Sequence, residues 1–154
     1  MRFLERFWRT WPGLWARPSA ESATLTSPPD SAEPLTRYLL STSQFRRASW
    51  TVKASAFVPG PDGRKSVFRI LGLTEPSIWK LGEAEVLNPP FRLHARADVT
   101  VRSVRDTGIT LDADPPPSRH ADLVGWPPDE SACLLVAALL ADAAELRLNP
   151  AVHP

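Results

Sequence analysis

The chain has 154 residues and a formal net charge of +1, with 17 prolines and a single cysteine. This length suggests one domain with tails, and a content of 43% hydrophobic and 23% charged residues is too apolar for a wholly disordered protein. One cysteine excludes an intrachain disulfide and a multi-cysteine zinc cluster. Cys133 lies in the apolar run 132–141, where we expect it to be a buried hydrophobe. A bilayer crossing needs ~20 apolar residues, and the chain shows no secretory signal. We therefore expect a cytoplasmic location.

Residues 1–17 interleave aromatic residues with four arginines and one glutamate. At helical spacing, Phe7, Trp8 and Trp11 share one face, and Pro12 then breaks the pattern. Such a segment can lie at a membrane interface, with its arginines meeting anionic lipid. Packing on the protein's own core, docking on a partner and an upstream extension are the alternatives. Peripheral contact of residues 1–15 with an inner membrane thus stays open.

Residues 18–34 are dominated by Pro, Ser, Ala, Thr and acids. Burial there cannot offset the entropy of ordering, so we predict a disordered linker. The folded domain is expected to cover residues 35–150, and residues 151–154 form a tail.

The first half of this domain contains a clear hairpin pattern. Residues 35–40 suggest a short helical turn. Residues 51–58 and 66–71 look like strands joined by the turn 59–63, so the two are expected to pair. A helix is predicted over residues 75–81, since Thr74 is a suitable N-cap and Gly82 a suitable end.

The second half begins with the clearest strand pattern, over residues 93–104. A turn leads into residues 109–111, which we expect to form a second hairpin. Residues 112–119 contain three consecutive prolines and predict an extended loop. Asp129 is a suitable N-cap for a helix running to about Leu146. These elements predict an α+β fold, in which a small antiparallel sheet of two hairpins carries a mid-chain helix and a C-terminal helix.

One face of the 93–104 strand carries a row of cations. Alternate residues in a strand lie ~7 Å apart on one side, a pitch that suits a phosphate backbone. The alternative is an ordinary solvated sheet face. The row consists of Arg92, His94, Arg96 and Arg102.

A second candidate site follows the proline loop. His120 can serve as acid or base, Arg119 can clamp an anion, and Trp126 can form a stacking wall. Lys53 and Glu83 are candidate partners from elsewhere in the chain. The alternative is structural, with His120 capping the loop and Trp126 anchoring the final helix.

The three histidines, at positions 94, 120 and 153, are scattered. They form neither an HxH nor an HxxxH pair, so we assign no metal. The chain also lacks a glycine-rich phosphate loop and a serine elbow, and we assign no cofactor.

The domain resembles a group of small uncharacterised bacterial proteins over about residues 35–150. The resemblance rests on Leu35-Thr36-Arg37-Tyr38-Leu39, Phe45, Val52-Lys53-Ala54-Ser55-Ala56-Phe57, Ser66-Val67-Phe68-Arg69, Gly72-Leu73, Ile78-Trp79, Gly82-Glu83, Arg96-Ala97-Asp98 and Arg119-His120-Ala121 through Gly125-Trp126-Pro127. It implies a bacterial cytoplasmic origin and no particular reaction. It directs attention to Lys53, Arg69, Glu83, Arg96, Arg119, His120 and Trp126.

Two functions follow from these patterns. The first is an accessory or binding protein that engages an anionic partner, nucleic acid or an acidic protein surface, through the basic face. The second is a small enzyme acting on a phosphate-bearing or nucleotide substrate. In that enzyme His120 is the acid/base, and Arg69, Arg96 or Arg119 clamps the anion. The oligomeric state is left open.

Overall fold

The computed structural model describes residues 25, 27–115 and 117–154. The predicted basic aromatic segment 1–17 and most of the predicted linker lie outside the described residues. Eight strands and three α-helices follow in chain order: β1 (Pro34–Leu39), β2 (Phe45–Arg46), β3 (Thr51–Val52), β4 (Lys65–Arg69), α1 (Glu75–Glu85), β5 (Ala95–Thr100), α2 (Val101–Asp106), β6 (Thr110–Ala113), β7 (His120–Val124), α3 (Glu130–Ala143) and β8 (Glu145–Leu148).

Six of these strands form one antiparallel sheet in the order β6-β7-β4-β1-β5-β8. The first strand of the chain lies inside the sheet, where it pairs with β4 on one side and β5 on the other. The two short strands β2 and β3 pair only with each other. The predicted α+β class, the antiparallel sheet and the mid-chain and C-terminal helices are thereby confirmed.

The two faces of the sheet are covered by different helices. One face packs against α3 and buries the larger apolar cluster, whose most enclosed side chains include Phe57, Leu35, Leu39, Ile109, Leu123, Leu140 and Leu146. The other face is mostly polar, and α1 covers part of it through a smaller cluster of Tyr38, Phe68, Ile70, Ile78, Trp79 and Leu93. The polar face is where the charged side chains of several strands meet.

Helix α1 begins as the sequence predicts. The hydroxyl of Thr74 accepts a hydrogen bond from the Ser77 amide, and Pro76 occupies the first turn. Gly82, however, lies inside the helix and does not end it. A Cβ on Gly82 would stand 2.5 Å from Cε1 of Tyr38 and 2.9 Å from Cδ2 of Leu93. The glycine is therefore required by the close approach of α1 to the sheet.

Helix α3 also begins at its predicted cap, since Asp129 accepts a hydrogen bond from the Ala132 amide. The helix ends at Ala143, and the following residues form the edge strand β8. The apolar residues that suggested a longer helix thus continue into a strand. In β8 only Leu146 is buried. It pairs with Ala97 of β5, and both side chains belong to the α3-side cluster.

The predicted helical turn at residues 35–40 is wrong, because this stretch is the inner strand β1. Leu35 and Leu39 belong to the α3-side cluster, whereas Tyr38 belongs to the α1-side cluster. A strand that is buried on both faces lacks the simple apolar-polar alternation that marks a half-buried strand. The pattern of β1 was therefore ambiguous from sequence.

The strand pairings also differ from the predicted ones. Residues 51–58 form only the short strand β3 and a 3-10 turn over Ala54–Ala56, so β4 pairs with β1 and β7 instead. The structure does contain two hairpins, β2–β3 and β6–β7. The second predicted hairpin, residues 93–104 with 109–111, does not form either, because β5 pairs with β1 and β8 and β6 pairs with β7. Both predicted turns therefore lead into strands that pair elsewhere, and the pairing of distant strands is decided by the core.

The predicted strand over residues 93–104 divides into β5 and α2. Thr100 caps the helix by accepting a hydrogen bond from the Ser103 amide. Val101 and Val104 are both buried at helical spacing. A cap residue inside an alternating pattern therefore ended the strand earlier than predicted.

Candidate functional site

Arg69, on the inner strand β4, is buried and paired with a carboxylate. Nε and Nη2 of Arg69 donate to the two carboxylate oxygens of Glu33 at 2.5 and 2.8 Å, and both side chains are at most 3% exposed. Arg69 also donates to the carbonyl of Ser27, at 3.0 Å. Because its donors are committed inside the protein, Arg69 holds the residues before β1 against the sheet.

Arg96 is equally enclosed, although the sequence suggested an exposed cation. Its Nη2 donates to Glu75 at 2.8 Å and its Nε to Asp98 at 3.2 Å. Its guanidinium lies 4.9 Å from the ring centre of Trp79. These contacts join β5 to α1, so Arg96 fastens the helix to the sheet.

Arg119 and Trp126 also contact the backbone. Nη1 of Arg119 donates to the carbonyls of Arg69 and Leu71 at 3.1 and 2.9 Å. The indole of Trp126 donates to the carbonyl of Leu123 at 2.9 Å and packs against the α3-side core. Of the two candidate partners from elsewhere in the chain, Lys53 is half-buried where the 3-10 turn begins and Glu83 is exposed on α1.

The four cations of the predicted row do not line up on one face. Arg92 lies exposed in the loop before β5, whereas Arg102 is exposed on helix α2. His94 is half-buried beside the loop, and Arg96 is enclosed as described above. Arg92 and Arg102 form no ion pair within the described part of the chain.

His120 lies on the polar face in a different neighbourhood from these arginines. It begins β7, directly opposite Phe68 of β4, and its ring packs edge-on against Phe68 with 5.5 Å between the centres. We define the edge cluster as the polar side chains around this histidine, on β4, β6 and β7 and in their adjoining loops: Arg64, Ser66, Asp112, Asp114, His120 and Asp122.

Both nitrogens of His120 have hydrogen-bond partners. Nδ1 lies 3.0 Å from the carbonyl oxygen of Asp114, and Nε2 lies 3.0 Å from the hydroxyl oxygen of Ser66. Because a carbonyl only accepts, Nδ1 must carry the proton. In the neutral ring Nε2 therefore offers its lone pair to the Ser66 hydroxyl.

Carboxylates surround this pair. Asp122 Oδ1 lies 3.6 Å from Nε2 of His120 and 3.4 Å from the Ser66 hydroxyl. Asp114 Oδ2 lies 3.9 Å from Nδ1. Burial raises the pKa of Glu85, at the end of α1, and the nearby His120 lowers it to a smaller extent.

Arg64 is the cation of the edge cluster. Its Nε and Nη2 donate to Asp122 and Asp112 at 2.9 and 2.8 Å, and these bonds raise the pKa of Arg64. One arginine thus faces three aspartates, so the cluster is acidic overall. Its side chains are partly accessible, with His120 at 13% and Arg64 at 38% exposure.

Three residues of the edge cluster have the composition of a metal site. Ligand atoms of Asp114, His120 and Asp122 all lie within 4.8 Å of one another. In this arrangement both ring nitrogens are occupied by hydrogen bonds, and Asp122 is held by Arg64. A cation there would have to displace those bonds.

The sequence indicated only His120 among these residues. The sequence predicts an extended loop over residues 112–119 and no element over residues 120–124, which form β7. Its period-2 alternation of His120 and Asp122 with Ala121 and Leu123 was the available indication. Ser66 and Arg64 could not be assigned, since their proximity depends on the pairing of β4 with β7.

Two further cations, which the sequence did not indicate as site residues, lie on β1 and β4. Arg37 donates to the carbonyls of Ala56 and Ser66 at 3.3 and 3.2 Å, and burial lowers its pKa to about 10. Burial and the charge of Arg37 lower the pKa of Lys65 to about 8. Neither of them pairs with a carboxylate among the described residues.

Comparison with protein families, with curated proteins and with solved structures finds no match. Among residues 25, 27–115 and 117–154, none of the helices has the length and apolarity that a membrane crossing needs.

Proposed function

We propose that this chain is a small hydrolase in which Ser66 is the nucleophile and His120 the general base. The observation that carries the proposal is the 3.0 Å distance between Oγ of Ser66 and Nε2 of His120. The opposite nitrogen is held by the Asp114 carbonyl at 3.0 Å. A nucleophile within hydrogen-bond reach of a base, itself oriented by a third group, is the common arrangement of covalent hydrolases.

The proposed reaction follows from the tautomer of His120. Nε2 takes the proton of the Ser66 hydroxyl while Oγ attacks the carbonyl carbon of an ester. The imidazolium then gives this proton to the departing alcohol, and water releases the acyl group from Ser66 in a second, equivalent cycle. Asp114 and Asp122 stabilise the imidazolium that forms between the steps.

The charge of the edge cluster selects the substrate class. Three aspartates outnumber Arg64, which is itself engaged by two of them. Such a surface favours an uncharged or positively charged substrate, because like charges repel at short range. From sequence, the predicted substrate of a His120 enzyme is phosphate-bearing or a nucleotide. That substrate stays a prediction, and the negative charge of the edge cluster disfavours it.

Covalent labelling tests the proposal most directly. The full chain is incubated with an uncharged fluorophosphonate, and the modified peptide is identified by mass spectrometry. Hydrolysis of p-nitrophenyl acetate is measured in parallel. We expect label on Ser66, and S66A and H120N should lose at least 100-fold in rate, since each removes one half of the nucleophile-base pair.

The control is S131A, because Ser131 is an exposed serine of α3, the helix that packs on the other face of the sheet. It should keep both the labelling and the rate of the unmodified chain. Label on a serine other than Ser66, or an S66A variant with full activity, would show that Ser66 is not a nucleophile.

A second candidate function is the binding of an anionic partner, either nucleic acid or an acidic protein surface. It is supported by Arg37 and Lys65, two cations that form no ion pair with a carboxylate among the described residues. A phosphate or carboxylate near Lys65 would neutralise a cation that burial now disfavours. Lys53 begins the 3-10 turn whose Ala56 carbonyl contacts Arg37, so it lies on the adjoining surface.

Salt dependence tests this second candidate. Binding of single- and double-stranded DNA is measured between 50 and 200 mM salt for the full chain and for K53A/K65A. The double variant should reduce the slope of log affinity against log salt by about 1.4–1.8, since each lost phosphate contact removes ~0.7–0.9. An unchanged slope, or no binding at 50 mM salt, would exclude nucleic acid as the partner at this surface.

A further inference from the structure

A pair of histidines lies outside the edge cluster, where the end of the chain folds back on the sheet. His94 precedes β5, and His153 follows β8. Asn149 joins the two segments, because its backbone amide donates to the His94 carbonyl at 3.0 Å and its side chain to the Leu93 carbonyl at 2.8 Å. The His153 amide in turn donates to the Asn149 carbonyl at 2.8 Å. The two imidazoles end 5.7 Å apart, centre to centre.

In the described part of the chain, each of the two rings has an enclosed nitrogen without a hydrogen-bond partner. Nδ1 of His94 and Nε2 of His153 are enclosed, with less than 1 Å² of exposed surface, and have no hydrogen-bond partner among the described residues. An enclosed polar atom without a partner destabilises the fold, because the hydration it loses is not replaced by a hydrogen bond. Such atoms are rare in folded proteins and call for an explanation, of which an ion is one. Because the two atoms lie on neighbouring rings, a single bound ion could satisfy both.

We propose that His94 and His153 together bind a divalent transition metal of the kind that prefers imidazole nitrogen, such as Zn²⁺. A zinc ion lies about 2.0–2.1 Å from a ligating nitrogen, and hence roughly 3.2 Å from the ring centre. Two ligating rings then have centres roughly 5.2 Å apart at a tetrahedral angle and roughly 6.4 Å apart when opposite. The observed 5.7 Å lies between these limits.

The surroundings suit the neutral rings that a metal requires. Burial, His153 and Arg92 all lower the pKa of His94, which keeps a lone pair free at neutral pH. Phe45 packs edge-on against His153 with 6.3 Å between the ring centres and restricts its rotation. Both histidines are half-buried, and their two imidazoles would supply two of the four ligands that zinc usually takes, with water in the other positions.

The proposal does not depend on the hydrolase, since none of its residues belongs to the edge cluster. Zn²⁺ is titrated into the metal-free full chain at pH 7.5 by calorimetry, and the imidazole signals are followed by NMR. We expect one saturable site, with His94 and His153 signals shifting together. H94Q and H153Q should each weaken binding at least ten-fold, because each removes one of two protein ligands.

H120Q is the matched control, as it removes the third histidine of the chain. It should bind Zn²⁺ as the unmodified chain does, and lowering the pH to 5.5 should weaken binding in both because protons compete for the ligands. His153 follows β8 and belongs to neither apolar cluster, so H153Q keeps the test decisive even if H94Q fails to fold. Absence of saturable binding up to 1 mM Zn²⁺ would overturn the proposal, as would a loss of binding in H120Q alone.

Discussion

The sheet carries two groups of charged residues that look alike in sequence and differ in their surroundings. On the inner strands, Arg69 and Arg96 are 3% and 2% exposed and are bound to carboxylates. At the β4–β7–β6 edge, His120 and Arg64 are 13% and 38% exposed, and the histidine faces a serine hydroxyl. Residue type alone does not distinguish a cation that holds the fold from a group that can do chemistry.

The difference comes from what covers each side chain, because Arg69 and Ser66 lie on the same strand β4. Arg69 is enclosed with Glu33 and Arg96 is enclosed against Trp79 of α1, so each charge must be neutralised by a neighbour or the fold is lost. His120 and Arg64 lie on a part of the polar face that stays partly exposed, which allows polar groups to meet without full burial. We therefore expect substitutions in the inner group to change stability and substitutions in the edge cluster to change activity.

The largest loss of folding stability is expected for E33A, because this substitution leaves Arg69 buried without its carboxylate partner. Breaking a buried ion pair by removing one partner costs about 3–5 kcal/mol. The free energy of unfolding from urea denaturation measures it. The matched control is E145A, whose partner Arg147 is 2.7 Å away and about half exposed. An exposed pair contributes about 0–1 kcal/mol, so equal losses in the two variants would contradict the comparison.

A smaller loss is expected for G82A, in which the added methyl group collides with Tyr38 and Leu93. Overpacking of this kind costs about 1–3 kcal/mol. Amide exchange should show faster opening of α1 than of α3. The neighbouring exposed residue supplies the control, E83A, which should stay within about 0.5 kcal/mol. If G82A were as stable as E83A, α1 would not press against β1 as closely as described.

In the edge cluster, H120N should change stability by no more than about 1 kcal/mol, the net value of the hydrogen bonds it alters. The same variant should lose the proposed hydrolysis. Urea denaturation and an ester assay on one preparation separate the two effects. A loss of 3 kcal/mol or more would place His120 with the inner, structural group.

The smallest effect concerns pH. The folded state lowers the pKa of His94 below its usual 6.5, so below that pH the unfolded chain binds the proton more readily. Stability from this residue is complete above pH 6.5 and falls as the pH drops through that value, by at most ~1.4 kcal/mol per pH unit. Urea denaturation between pH 7.5 and 5 in a chelating buffer measures this slope. H94Q should reduce the slope of unfolding free energy against pH. An unchanged slope in H94Q would show that another group binds the proton.

The sequence predicted local features well where a few neighbouring residues determine them. Thr74 and Asp129 begin their helices as expected, since a cap depends only on the residues that follow it. It predicted poorly where distant strands meet. β1 was misassigned because it is buried on both sides, and the serine that faces His120 is 54 residues away along the chain.

By itself, the sequence determined the α+β class, the antiparallel sheet and the starts of both long helices, because periodicity and capping are local properties. It also indicated His120. Only the tertiary structure decided that Arg69 and Arg96 are internal ion-pair partners, that Ser66 lies opposite β7, and that His94 meets His153. Those outcomes depend on strand order, and strand order is set by how two apolar clusters are covered on opposite faces of one sheet.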